Sequence, residues 1–183
     1  YPLSQDGVVA AIPRIKAAVD DGGANAVFMT SPSASALPLL TQLLPEAGVS
    51  QATSQFIGLT RWDIPAQTLD LPGVQGGWFA VPDPASTGAF RSQYDAAYGG
   101  QPHPIGSLAF DGMAAIGALI KSGKSDPLST AAITQGAGFK GANGVFRLLA
   151  DGTNERGLAI ATIRDKKVVI FNNAPTSFSG AGF

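Results

Sequence analysis

Three glycines in the stretch QGAGFKGANG, residues 135–144, have the spacing of a dinucleotide cradle: Gly136, Gly138 and Gly141 spell G-x-G-x-x-G. Such a loop holds a pyrophosphate because it leaves a strand, turns sharply on its first glycine and opens a helix whose N-terminal amides face the anion. Here the order of elements is reversed. A helical pattern precedes the glycines and a strand pattern follows them, so no helix N-terminus is offered to a phosphate. The reading that remains is a helix stop at Gly136 or Gly138, then a turn into a strand at Gly141 to Gly144, with glycine supplying positive φ. Lys140 is then solvated rather than a phosphate ligand.

The other chemical groups are sparse. His103 is the only histidine and lies in the Pro-flanked segment GGQPHPIG, residues 99–106. A Ser-His-Asp triad or a two-histidine metal site needs more. The absence of cysteine excludes a thiol nucleophile and a structural zinc site built on thiolates. There is no G-x-S-x-G elbow, and Asp20-Asp21 fall at a helix end as solvated acids. The expectation is no catalytic residue, no metal, no cofactor and no enzymatic activity. Binding is a different matter. Ser31 and Ser33 follow the apolar run Ala26–Met29, and Thr60, Arg61, Trp62 and Asp63 follow the apolar run 55–59. In open α/β sheets ligands bind beyond the carboxyl ends of the strands, which makes these six the ligand-binding candidates. The competing roles are Trp62 packing against its loop, Ser33 capping a helix and Arg61 pairing with Asp63.

The elements that would position them alternate. Residues 7–21 read as a helix with Val8, Val9, Ile12, Ile15, Ala18 and Val19 on one face; Pro13 either kinks it or opens a helix starting near Ile12. A buried strand follows at 26–29, then a helix capped by Ser33 or Ser35 and running to about Ala47, a strand at 55–59 and a third strand at 74–81. Ser86 is expected to cap a helix through Tyr98. After the linker at 99–106 come an apolar helix at 108–120, a short helix at 127–135 capped by Asp126, and strands at 144–149, 157–164 and 168–171. The tail after Pro175 reads as irregular. This is the pattern of a Rossmann-like α/β chain, a parallel sheet flanked by helices, with a β-ribbon added near the C-terminus.

Composition narrows the partners. Of 183 residues 45% are hydrophobic and 14% charged, with a net charge of −1 and no block of like charge. Clustered Lys and Arg, which a nucleic-acid partner requires, are missing, and no apolar run approaches the roughly 20 residues of a membrane helix. The chain opens at Tyr1 directly into an element and reads as a processed or trimmed piece of something longer.

Several segments, taken in order, carry a resemblance: FIGLTRWD at 56–63, PGVQGGWFAVPDP at 72–84, FRSQYDAAYGGQP at 90–102, LAFDGMAAIGALIKSG at 108–123 and FKGANGVFRLLADGTNERGLAIATI at 139–163. Together they resemble the second half of type I periplasmic substrate-binding proteins of the branched-chain amino-acid class. The closing NAPTSFSGAGF at 173–183 is similar to the penicillin-binding-protein activators, lipoproteins built on the same fold. The resemblance implies two Rossmann-like lobes with a ligand between them. Residues 1–103 and 154–183 would form the C-terminal lobe, and 104–153 crossover elements of a mostly absent N-terminal lobe. The apolar helix 108–120 would then meet that missing lobe or a second copy of the chain.

The resemblance further implies a non-catalytic periplasmic regulator of cell-wall synthesis. Its partner would be a peptidoglycan synthase or a small-molecule ligand, with a lipid anchor to the outer membrane on the full-length precursor. The alternative is the solute-binding component of an ABC transporter for amino acids or related small molecules. Amino-acid-binding relatives offer aromatic hydroxyls and a carboxylate to the ligand ammonium. Here residues 28–33 read FMTSPS, without tyrosine, and in TRWD only Asp63 supplies a carboxylate.

Overall fold

The computed structural model describes residues 4–178. Within them the chain divides into two compact units, residues 4–81 with 160–172 and residues 82–159 with 173–178. The units part at Val81–Pro82 and Ala159–Ile160, and the linker at 99–106 lies inside the second, between its two long helices.

The first unit begins with α1 (Gln5–Asp20), whose N-cap Ser4 accepts a hydrogen bond from the Gly7 amide at 3.1 Å. The expected start near residue 7 or 12 is therefore late by up to two turns, and Pro13 sits within the helix. The predicted apolar face is also narrower: Val8 and Ile12 are buried, but Val9 and Ala18 face solvent. β1 (Ala26–Met29), α2 (Ala36–Glu46), β2 (Gln55–Gly58) and β3 (Trp78–Val81) follow. Strands β1 and β2 run parallel with Met29 opposite Gly58, and β2 and β3 run parallel with Gly58 opposite Phe79. β3 begins four residues later than the sequence pattern suggests. Residues Pro72–Val74 form a 3-10 turn, and Gly76, at φ 82°, donates its amide to the Ile163 carbonyl. Returning strands β7 (Ala159–Arg164) and β8 (Lys167–Asn172) pair antiparallel and complete a five-stranded sheet ordered β1-β2-β3-β7-β8. Val8, Leu37, Leu40, Leu44, Phe56, Trp62, Phe79 and Ile163 make the core.

The second unit holds α3 (Pro84–Tyr98), α4 (Gly106–Lys121), a single-turn α5 (Thr130–Ile133) and the ribbon β4 (Phe139–Gly141), β5 (Gly144–Leu148), β6 (Asn154–Arg156). Asp83, not Ser86, caps α3: its carboxylate accepts the Ser86 amide at 3.1 Å and the Ser86 hydroxyl at 2.6 Å. Pro84 then stands in the first turn, where its missing N–H removes no helical bond. The helix expected at 127–135 shrinks to four residues with Ser129, not Asp126, at its N-cap. Helix α4 buries only the i+4 row Ser107, Asp111, Ala115 and Leu119, and leaves Leu108, Met113, Ile116 and Ile120 exposed.

Candidate functional site

Because β1 and β2 are parallel and in register, their loops leave the same rim, and the Leu59 amide still donates to the Met29 carbonyl just past the strands. This rim gathers the six predicted residues. The Thr60 hydroxyl donates to the Ser31 carbonyl at 3.1 Å, tying the two loops together. Ser31 is buried. Of the two cap candidates Ser35 stands at the N-cap of α2, without a side-chain bond to the helix, whereas the Ser33 hydroxyl donates to the Ile64 carbonyl. Arg61 and Asp63 form a two-contact ion pair, Nε to Oδ1 at 2.9 Å with a guanidinium nitrogen on Oδ2. The rim's carboxylate is thus already engaged by a guanidinium two residues away.

Trp62 lies beneath this rim. It is 0% exposed and stacks on Phe79 at a 6.1 Å centroid distance. The indole fits because two glycines make room for it: a Cβ on Gly58 would stand 2.3 Å from its Nε1, and one on Gly77 2.2 Å from its Cζ3. Among the described residues no hydrogen-bond partner reaches that buried Nε1. The competing roles posed for Trp62 and for the Arg61–Asp63 pair are therefore the ones observed.

The glycine stretch has a structural role in every place where its geometry is tight. Gly138 has φ 65°, and a Cβ there would lie 2.3 Å from the Phe146 carbonyl oxygen. Gly141 and Gly144 flank the two-residue hairpin between β4 and β5. A Cβ on Gly141 would meet the Asp111 carboxylate at 2.3 Å. That carboxylate, buried on α4, accepts the Ala142 amide at 2.5 Å and an Arg156 guanidinium N–H at 2.8 Å. Beside it Asn143 donates to the Ser107 hydroxyl at 2.8 Å. The loop does bind an anion, but the anion is the chain's own Asp111. The expected element order, helix before the glycines and strand after, is the observed one. This polar network escaped the sequence reading, although a lone acid in the apolar run LAFDGMAAIGALI is a visible signal that a partner must exist.

His103 is exposed and accepts the Ile105 amide on Nδ1 at 3.3 Å, a turn contact before α4. Asp20 pairs with Lys16 at 2.5 Å. Hydrogen bonding from Ser86 holds the Asp83 carboxyl below its ordinary 3.8. Among the described residues no group of three or more His, Asp or Glu is placed to hold a metal ion, and no helix is long and apolar enough to cross a membrane. The first unit also carries a mainly apolar cleft of about 670 Å³ lined by Pro38, Thr41, Pro45, Gln51, Phe56 and Leu71. It opens where the chain enters β2 and β3, the rim opposite the six candidates.

The sequence profile described as "Periplasmic binding protein" matches residues 1–167. The chain belongs to the periplasmic binding protein family. Among solved structures, a putative branched-chain amino acid ABC transporter protein from Rhodospirillum rubrum superposes with a TM-score of 0.69 at 16% identity, over 87% of this chain and 48% of that one. LivJ from Streptococcus pneumoniae, a branched-chain amino acid transporter substrate-binding protein in complex with isoleucine, gives 0.55 at 15% identity, over 93% and 48%. The C-domain of LpoA from Haemophilus influenzae, described as a regulator of PBP1A, gives 0.56 at 13% identity, over 93% and 50%. No curated protein sequence matches the chain. At these identities the likeness is one of fold: the type I periplasmic binding protein architecture, of which the chain spans about half the length of the matched structures. Transport proteins and a regulator of PBP1A both stand among these neighbours.

Proposed function

We propose that this chain is part of a non-catalytic periplasmic regulator of the penicillin-binding-protein activator type, acting on a peptidoglycan synthase. The observation that carries the reading is the occupied rim. The resemblance implies a carboxylate and aromatic hydroxyls for an amino-acid ammonium, whereas Asp63 is paired with Arg61, Trp62 is sealed below the surface and no tyrosine follows β1. The fold likeness to the C-domain of LpoA supports the same direction. On this reading the protein works in the periplasm, anchored through a lipid on its precursor. The first unit belongs to the C-terminal lobe, and α4, with its exposed Leu108, Met113, Ile116 and Ile120, to the N-terminal lobe. The test is affinity capture from a periplasmic extract: recovery of a bifunctional penicillin-binding synthase supports the reading, and repeated capture without one removes it.

The alternative is the solute-binding component of an ABC transporter, supported by the likeness to the R. rubrum and S. pneumoniae proteins. Ser31, Ser33, Thr60 and the Arg61–Asp63 pair would then face a small polar ligand. A ligand at 100 times its dissociation constant adds about 2.7 kcal/mol to stability, so a thermal-shift screen of amino acids and small amides separates the two. A clear upward shift favours transport, and flat melting temperatures favour the regulator.

A further inference from the structure

The mainly apolar cleft of about 670 Å³ in the first unit serves neither reading of the rim. Three segments wall it: α2, the turn 50–52 that leads into β2, and the 3-10 turn Pro72–Val74, with Phe56 of β2 in the lining. The walls are held in place by the chain itself. Pro38, Pro45 and Pro72 have φ fixed by their rings. Gly73 lies so close to α2 that a Cβ on it would stand 1.7 Å from the Thr41 carbonyl oxygen. A preformed apolar concavity of this size with few polar groups is what small-molecule sites share.

Most polar groups of the lining are satisfied within the chain. The Gln75 Nε2 donates to the Leu69 and Leu71 carbonyls at 2.8 and 3.1 Å, and its Oε1 accepts the Lys166 amide at 3.2 Å. The Thr41 hydroxyl donates to the Leu37 carbonyl at 2.9 Å. Among the described residues of the lining Glu46 alone is charged, and it is exposed. Gln51 is different. Its Oε1 accepts the Phe56 amide at 3.0 Å and the Gln55 side-chain amide at 3.2 Å, while its Nε2 is buried and, among the described residues, has no partner. A buried donor is costly to leave unpaired, so its presence in a cleft wall points to a molecule that completes it.

We infer that this cleft binds a small uncharged aromatic molecule, its ring between the prolines and Phe56 and one carbonyl-type acceptor on Gln51 Nε2. An anion would face Glu46, and nothing on the buried walls would pair a cation. The site is separate from Ser31, Ser33 and residues 60–63 and depends on neither functional reading.

The probes are acetophenone and its isostere α-methylstyrene, in which a methylene replaces the carbonyl oxygen. Each is titrated into the isotope-labelled 183-residue chain while backbone amide shifts are followed by NMR. The expected result is saturable shifts at Gln42, Ala52 and Gly73, with acetophenone bound about three- to tenfold more tightly than α-methylstyrene, the worth of one neutral hydrogen bond. Ala52→Phe, at an exposed position on the wall, fills the cleft and should weaken acetophenone by about tenfold or more. Gln51→Glu keeps an acceptor for the Phe56 amide and removes the donor, so it should erase the preference between the two probes. Shifts confined to 31–33 and 60–63 would put the probe on the rim and overturn the inference. So would equal affinity for both probes in the wild-type chain, undiminished binding by the Ala52→Phe variant, or no saturable shift. Shifts of the same amides on raising the protein concentration alone would make a second copy the occupant and overturn it as well.

Discussion

At the scale of single residues, Gly141 and Asp111 are two halves of one device. Alanine at 141 would push its Cβ into a carboxylate that already holds an amide and a guanidinium, so Gly141→Ala should lower stability by about 1–3 kcal/mol. Asp111→Ala strands the partly buried Arg156 and the Ala142 amide and should cost about 3 kcal/mol. Urea denaturation of the 183-residue chain measures both. Asp83 gives a pH signature. Its folded pKa is lowered, chiefly by the Ser86 hydroxyl, so its capping stabilisation is complete above the unfolded carboxylate pKa and fades as pH falls through the folded value. The stability gap between wild type and Asp83→Asn should therefore be level above about pH 5 and shrink below about pH 4. A constant gap down to pH 3 would show that the charge contributes nothing to the cap.

At the scale of elements, α4 separates two kinds of apolar residue that look alike in sequence. Leu119 lies on the buried row and Ile116 does not. Leu119→Ala should cost about 2–3 kcal/mol through the lost burial and the cavity left behind. Ile116→Lys should cost less, within about 0.5 kcal/mol in the isolated 183 residues, because the side chain is 41% exposed and off the buried row. The contrast, read by chemical denaturation, tests whether the helix is held by a single narrow seam. Helix α3 makes a related point: its stop is the αL Gly99, a position that glycine takes without the steric penalty other residues meet.

For the molecule as a whole, the first unit is centred on Trp62 and Phe79 beneath the rim, so Trp62→Ala should cost about 3–5 kcal/mol and remove most of the blue-shifted fluorescence. Nucleotide binding is a second test at this scale. Since no helix follows the glycines and Asp111 already holds the Ala142 amide beside Gly141, titration with NAD or ATP should give no heat and no shift in melting temperature. Saturable binding there would require the carboxylate to be displaced.

The sequence alone determined the alternation of helix and strand and the rejection of the dinucleotide motif. Each of these rests on local order and periodicity, which a chain carries with it wherever it folds. Of the ribbon it showed only β5, since the strands read at 157–164 and 168–171 join the main sheet and the three-residue β4 and β6 carry no periodicity. It also brought Ser31, Ser33 and 60–63 to one rim, because parallel strands deliver their loops to the same end. Tertiary structure decided what those side chains do. That the Trp62 ring is enclosed between Gly58 and Gly77, that Arg61 occupies Asp63, and that Asp111 on α4 meets Ala142 on a hairpin 31 residues away are matters of distance between remote segments. Periodicity assigns a residue to a face of its own element; only packing assigns that face a neighbour, which is why the bare side of α4 and the cleft beside α2 could not be read before the fold was in view.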